Sequence, residues 1–148
     1  MKKTITLVLV LAVCLGLCAC GGGKNSKFVG MYEYKGQFTE RYSGWGYDNL
    51  VNDISCTYRL TLNSGGTGTF ERKATSDGKF FKYGDIIEEG KVTWVAEGDY
   101  VTVTFNGTRY IKNYGKDATE IIDVTTTYER KAGTLHYTTG GTAYTKIG

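Results

Sequence analysis

Two hydrophobic regimes divide the chain. From Ile5 to Leu17 the positions are apolar almost without a break. From Phe28 onward, apolar or aromatic residues alternate with Thr, Lys and Glu nearly to the end. Alternation of period two, broken by Gly-containing turns, predicts antiparallel β-structure. Predicted strands cover Phe28–Gly36, Cys56–Leu62, Thr67–Lys73, the short run Phe80, Phe81 and Tyr83, and Ile86–Ala96, which Gly90 can bend. They continue as Tyr100–Phe105, Thr108–Tyr114, Thr119–Arg130, Thr134–Thr139 and Thr142–Ile147. In the second of these, Cys56, Tyr58, Leu60 and Leu62 share a face, and Thr57, Arg59 and Thr61 share the other. Asn106-Gly107 carries the strongest hairpin signal, because a type I′ turn needs positive φ at both central positions.

No amphipathic helix follows Leu17, and the chain holds 12 Tyr and no Pro. A chain without Pro can donate every backbone N–H to a ladder. Consecutive short hairpins predict an all-β fold, an antiparallel up-and-down meander closing into a barrel of about eight to ten strands, since closure removes exposed edges. An open β-sandwich is the alternative.

The first twenty residues change the composition. Lys2 and Lys3 precede the apolar run, which has the length of a signal-peptide core and is short for a spanning helix. Leu17-Cys18-Ala19-Cys20 resembles the lipobox of bacterial lipoproteins, with Leu at −3 and a small residue before the final Cys. The resemblance implies cleavage after Ala19, a diacylglyceryl group on the Cys20 sulfur and acylation of the new amine. Two or three acyl chains, at about 0.8 kcal/mol per buried CH2, make a lasting membrane anchor. Residues 1–19 are therefore expected to be a signal peptide. Cys20 to Lys27 is expected to be the lipidated, Gly-rich tether, and 28–148 a single domain.

Cys14 and Cys18 leave with such a signal and Cys20 is lipidated, so Cys56 is the one thiol expected in the folded part. Its strand phase predicts burial. Of 18 basic residues, Lys2 and Lys3 also leave, and the remaining 16 stand against 15 acidic ones. A formal charge of +1 with no clustered basic stripe points to no nucleic-acid partner. Cys20 is followed by Gly21 rather than Asp. The Cys-Gly-Gly-Gly-Lys start resembles lipoproteins of single-membraned bacteria and implies a location on the extracytoplasmic side of the cell membrane.

Phe28-Val29-Gly30-Met31-Tyr32 resembles the G-x-W opening strand of lipocalins, with Tyr32 in the Trp position. The order of Tyr58–Asn63, Gly66–Phe70, the Gly-x-x-x-Trp run Gly90–Trp94 and the closing Tyr144-Thr145-Lys146 is similar to small bacterial lipocalin-like lipoproteins. The resemblance implies a calycin-type barrel in which the first long connection lies over the open end. Here that connection is Gln37 to Ser55, too long for a hairpin loop and therefore of functional interest. It holds Tyr42, Trp45 and Tyr47 among Gly, Ser and Asn, a composition suited to contact surfaces. These three are the candidate ligand-binding residues, as a lid over a small apolar or glycan-like ligand. The alternative is that they plug the barrel end.

Catalytic chemistry finds no support in the sequence. His136, the single histidine, alternates out of phase with Leu135 and Tyr137 and is expected on the exterior. No Ser lies in a nucleophile elbow, and Cys56 has no second His or CxxC partner. Metal-ligand spacing is missing, and Asp85, Glu88 and Glu89 read as solvated turn charge rather than a cation loop. The expectation is a non-enzymatic chain without cofactor or metal. It is either a tethered binding module or an envelope structural and protein-interaction domain with a filled barrel.

Overall fold

The computed structural model describes residues 25–44, 47–113 and 116–148. They form an eight-stranded, closed antiparallel barrel in simple meander order. The strands are β1 (Gly30–Gly44), β2 (Tyr47–Leu62), β3 (Thr67–Ala74), β4 (Ile86–Glu97), β5 (Tyr100–Asn113), β6 (Lys116–Lys131), β7 (Thr134–Tyr137) and β8 (Ala143–Lys146). β8 closes the ring on β1 through Tyr32↔Lys146 and Glu33↔Thr145.

Three sequence expectations need correction. The expected loop Gln37–Ser55 is instead largely ladder: β1 and β2 pair from Gly30↔Leu62 through Gln37↔Ser55 to Tyr42↔Leu50. Its alternation was hidden because two of its inward positions are polar, and these satisfy each other: Asn52 Nδ2 donates to Glu40 Oε2 at 2.8 Å. Asn106-Gly107 is no turn, since both residues sit inside β5, paired with Lys91 and Gly90 on one side and with Asp123 and Ile122 on the other. Flanking β-favouring residues and two neighbouring strands outweigh the local turn propensity. Phe80, Phe81 and Tyr83 belong to the connection between β3 and β4 rather than to a strand.

Alternation places one face of each strand in the core, which has two apolar parts. The larger joins Phe28, Tyr32, Leu60, Leu62, Trp94, Val101, Val103, Leu135 and their neighbours. It fills the end where the chain enters. A 3-10 turn at Ser26–Phe28 places the Phe28 ring 6.4 Å from Trp94, and the Tyr32 hydroxyl donates to the Phe28 carbonyl at 2.9 Å. Trp94 Nε1 donates to the carbonyls of Asn63 and Thr67, so the indole N–H is satisfied at the rim. Lys27, assigned above to the tether, lies against this end with its Nζ 2.5 Å from Asp99 Oδ1.

The smaller cluster joins Ile54, Cys56, Ala74, Phe81 and Ile87 near the opposite end. Cys56 is 1% exposed, as its phase predicted, and burial raises its thiol pKa. The β3–β4 connection straps over this cluster. Its anchor is Glu40, 2% exposed, whose carboxylate accepts the amides of Lys79 (2.8 Å), Phe80 (3.0 Å) and Phe81 (2.7 Å). A buried carboxylate is tolerable because these donors replace its water.

Candidate functional site

Between the two apolar clusters a polar row runs around the barrel. The pairing registers set Tyr34 opposite Tyr58, Tyr58 opposite Arg72, Arg72 opposite Glu88, Glu88 opposite Arg109 and Arg109 opposite Glu120. Six side chains on six consecutive strands therefore lie at one level, with charges alternating from Arg72 onward. Arg72 pairs with Glu88 through Nη2 and Oε2, and Arg109 reaches Glu88 at 3.7 Å and Glu120 at 3.4 Å. The Arg72 guanidinium also lies over two rings, 4.8 Å from the centroid of Phe38 and 5.3 Å from that of Tyr58. Rings and carboxylate together hold the cation in one place.

Tyrosines gather on the open side of this row. Tyr34 sits 5.3 Å from Tyr58 and 5.8 Å from Tyr144, Tyr128 sits 5.7 Å from Tyr144 and 6.0 Å from Tyr137. These rings, with Gln37, Thr126 and Thr142, line a cleft of about 390 Å³. The cleft shares Tyr58, Thr126, Tyr128 and Tyr144 with a cavity of about 240 Å³ that reaches inward to Leu60, Phe70, Arg72, Glu88, Val103 and Phe105. Leu60, Val103 and Phe105 line its inner wall. They are the apolar back of a hollow.

Local structure explains why the hollow persists. β7 pairs with β6 only from Tyr128 to Lys131, and β8 meets β1 only at Tyr32 and Glu33. Beyond these short strands neither β1 nor β6 has a strand partner on that side among the described residues, and Val124, on the inner face of β6 two residues from Ile122, is 47% exposed. Gly36 makes room for the Tyr34 ring, since a Cβ there would lie 2.6 Å from Tyr34 Cε1.

Electrostatics keep the cleft neutral and hydroxyl-rich. Burial and the neighbouring Tyr137 push the Tyr128 phenol up to about 12, and burial with the surrounding tyrosines raises Tyr144 further still. Neutral phenols both donate and accept, which suits a ligand with a flat apolar face and hydroxyl edges.

The residues proposed from sequence fare differently. Tyr42 and Tyr47 fall in β1 and β2, but their side chains, and all of Trp45, lie outside the described residues. Glu88 is a correction: it is buried in the ion-paired row and is not solvated turn charge. Asp85 pairs with Lys112 and accepts the Lys82 amide at 3.0 Å, and Glu89 accepts the Tyr110 hydroxyl at 2.6 Å. His136 is half-buried, with Nε2 2.8 Å from Thr134 Oγ1. Among the described residues no group of His, Cys, Asp and Glu is arranged to hold a metal ion. Arg72 is not singled out by the sequence, and Glu88 reads there as solvated, because strand charges are ordinarily outward. Their phase with Phe70 and Val92 was the available signal.

Comparison of the chain with protein-family models, curated proteins and solved structures finds no match.

Proposed function

We propose that this chain is a membrane-tethered, non-catalytic binding module that takes a small glycan-like ligand in the tyrosine-lined cleft. Lipid on Cys20 is its anchor, and the resemblance of its strand order to small lipocalin-like lipoproteins is consistent with a ligand-holding barrel. The observation that carries the reading is the convergence of Tyr34, Tyr58, Tyr128, Tyr137 and Tyr144 on a hollow backed by the Arg72–Glu88 pair. Aromatic faces stack on the C–H face of a sugar ring, and phenols, threonines and the ion pair meet its hydroxyls. A purely apolar ligand fits less well, because it would strand the buried Arg72 and Glu88 against hydrocarbon.

A second reading, an envelope interaction domain with a filled barrel, draws support from the two apolar clusters that occupy both ends. Native mass spectrometry of the full chain in detergent, after incubation with cell-envelope extract, separates the two. A retained ligand mass that disappears in a Tyr34→Ala, Tyr128→Ala double variant supports the cleft, and a consistently ligand-free spectrum removes it. Fractionation tests the anchor separately: Cys20→Ala is expected to move the protein from membrane to soluble fractions.

A further inference from the structure

We propose that the free edge of β6 takes an extended basic peptide as an added strand. β6 is paired along its length with β5, from Asn113↔Lys116 to Tyr100↔Glu129. On its other side only Tyr128–Lys131 is paired, with β7. From Asp117 to Thr126 that side has no strand partner among the described residues.

The orientation of the edge follows from two hydrogen bonds. The Arg130 amide donates to the Asp99 carbonyl at 2.7 Å, on the β5 side. The Thr127 carbonyl accepts from the Thr138 amide at 3.2 Å, on the β7 side. Successive residues of a strand direct their N–H and C=O groups to opposite sides. The register of β6 runs without a shift, so Thr119, Ile121, Asp123 and Thr125 present theirs to the open side.

Edges of this length are ordinarily blunted by Pro, a bulge or charge, Lys above all. The charges here are all acidic, Asp117 and Asp123 on the outer face and Glu120 on the inner. The segment 117–127 has no Pro, no basic residue and no register shift. Ile121 is 74% exposed on its outer face. The facing edge of β1 is different. There the Gln37 carbonyl, directed to the same opening, already accepts the Tyr58 hydroxyl at 3.2 Å.

Charge selects the partner. Asp117 and Asp123 stand on the outer face and make no ion pair among the described residues, while Ile122 and Val124 face inward. An added strand would set its outer side chains beside the aspartates and its inner ones beside Ile122 and Val124. Alternating Lys or Arg with Val or Ile meets both demands. A second copy of β6 would bring carboxylates against carboxylates and is disfavoured. The inference goes beyond the cleft proposal and does not depend on it.

The test uses the full chain in detergent micelles and a fluorescent peptide of about eight residues alternating Lys and Val. Binding by anisotropy is expected, with slowed amide exchange at Ile121, Asp123 and Thr125. Ile121→Pro removes an N–H that the barrel does not use, so the melting temperature is expected to hold while peptide affinity falls about tenfold or more. Asp123→Lys, a surface change independent of backbone strain, is expected to weaken binding as well. Absence of binding to the unaltered chain, an affinity unchanged from the unaltered chain in both variants, or a response consisting only of concentration-dependent self-association overturns the proposal. Ligand retention in the tyrosine cleft is expected to survive Ile121→Pro, which keeps a failure here distinct from a failure there.

Discussion

Gly90 and Gly107 face each other directly across the β4–β5 ladder, and the Phe105 ring lies over both. A Cβ on Gly90 would sit 2.5 Å from the Gly107 Cα and 2.7 Å from Phe105 Cε2. A Cβ on Gly107 would run into the Glu89 carbonyl and the same ring. The two bare backbones are the slot that Phe105 fills, and Phe105 in turn packs edge-on against Phe70 at 5.2 Å, at the back of the cavity.

The usual effect of replacing a strand glycine by alanine is a gain of up to about 1 kcal/mol. At these two positions the sign is expected to reverse. Gly107→Ala displaces backbone or evicts Phe105, an overpacking cost of about 1–3 kcal/mol. Urea denaturation checks it: a lower midpoint is expected for either alanine variant, and a raised midpoint would refute the slot.

The same pair marks where the sequence stops being legible. Barrel topology followed from alternation and turn spacing, and the core positions Leu60, Leu62, Trp94, Val101 and Val103 lie where their phase set them. Asn106-Gly107 misled because turn chemistry is local, whereas the ladder on both sides of Gly107 is set by strands far away in sequence. The polar row is illegible in the sequence for a related reason. Arg72, Glu88 and Arg109 become one row only through registers across β3, β4 and β5, which no window of a single strand reports. Glu40 was invisible for a third reason, since an inward carboxylate breaks the pattern unless the amides of residues 79–81 are known to meet it.

Glu88 tests the polar row. Its side chain neutralises Arg72, which is nearly buried beneath Phe38 and Tyr58. Glu88→Ala leaves that guanidinium without its partner, a change of about 3–5 kcal/mol for a buried pair. Replacing both residues, as Arg72→Met with Glu88→Leu, is expected to restore much of the loss. Calorimetric unfolding of the single and double variants decides it, and additive losses would show that the two side chains are not coupled.

Cys56 is expected to be inert. Its sulfur is buried and 3.8 Å from the Ile54 carbonyl, and burial holds the thiol above its ordinary range. A thiolate-trapping disulfide reagent should react with it only as fast as the barrel opens. Equal labelling rates in native buffer and in denaturant would contradict this placement.

The tyrosine cleft has an alkaline signature. Tyr128 ionises near 12 in the folded chain and near 10 when exposed, so the unfolded state holds fewer protons between those values. Stability is therefore fully present below pH 10 and falls as pH rises towards 12. Ultraviolet titration is expected to show a late-ionising class containing Tyr128 and Tyr144, which the Tyr128→Phe variant reduces.

Glu40 governs the opposite side of the pH scale. Burial by itself raises a carboxyl pKa, but the amides of Phe81, Lys79 and Phe80 and the Asn52 side chain outweigh it and hold Glu40 below its ordinary value of 4.5. A depressed pKa means that the unfolded state takes up the proton first as pH falls. The stabilisation is thus complete above pH 4.5 and is lost as pH drops through the folded value. Glu40→Gln keeps the shape but ends the charge-assisted bonds to the strap, a loss of about 2–3 kcal/mol at neutral pH. Because Gly78 packs against the same carboxylate, with space for a Cβ only 2.6 Å from Oε1, Gly78→Ala is expected to loosen the strap as well. Melting temperatures recorded from pH 7 to pH 3 check both effects. The unaltered chain should lose stability below pH 4.5, and Glu40→Gln should start lower and lose less. Parallel pH profiles for the two would mean that Glu40 is not the group that ties the strap to β1.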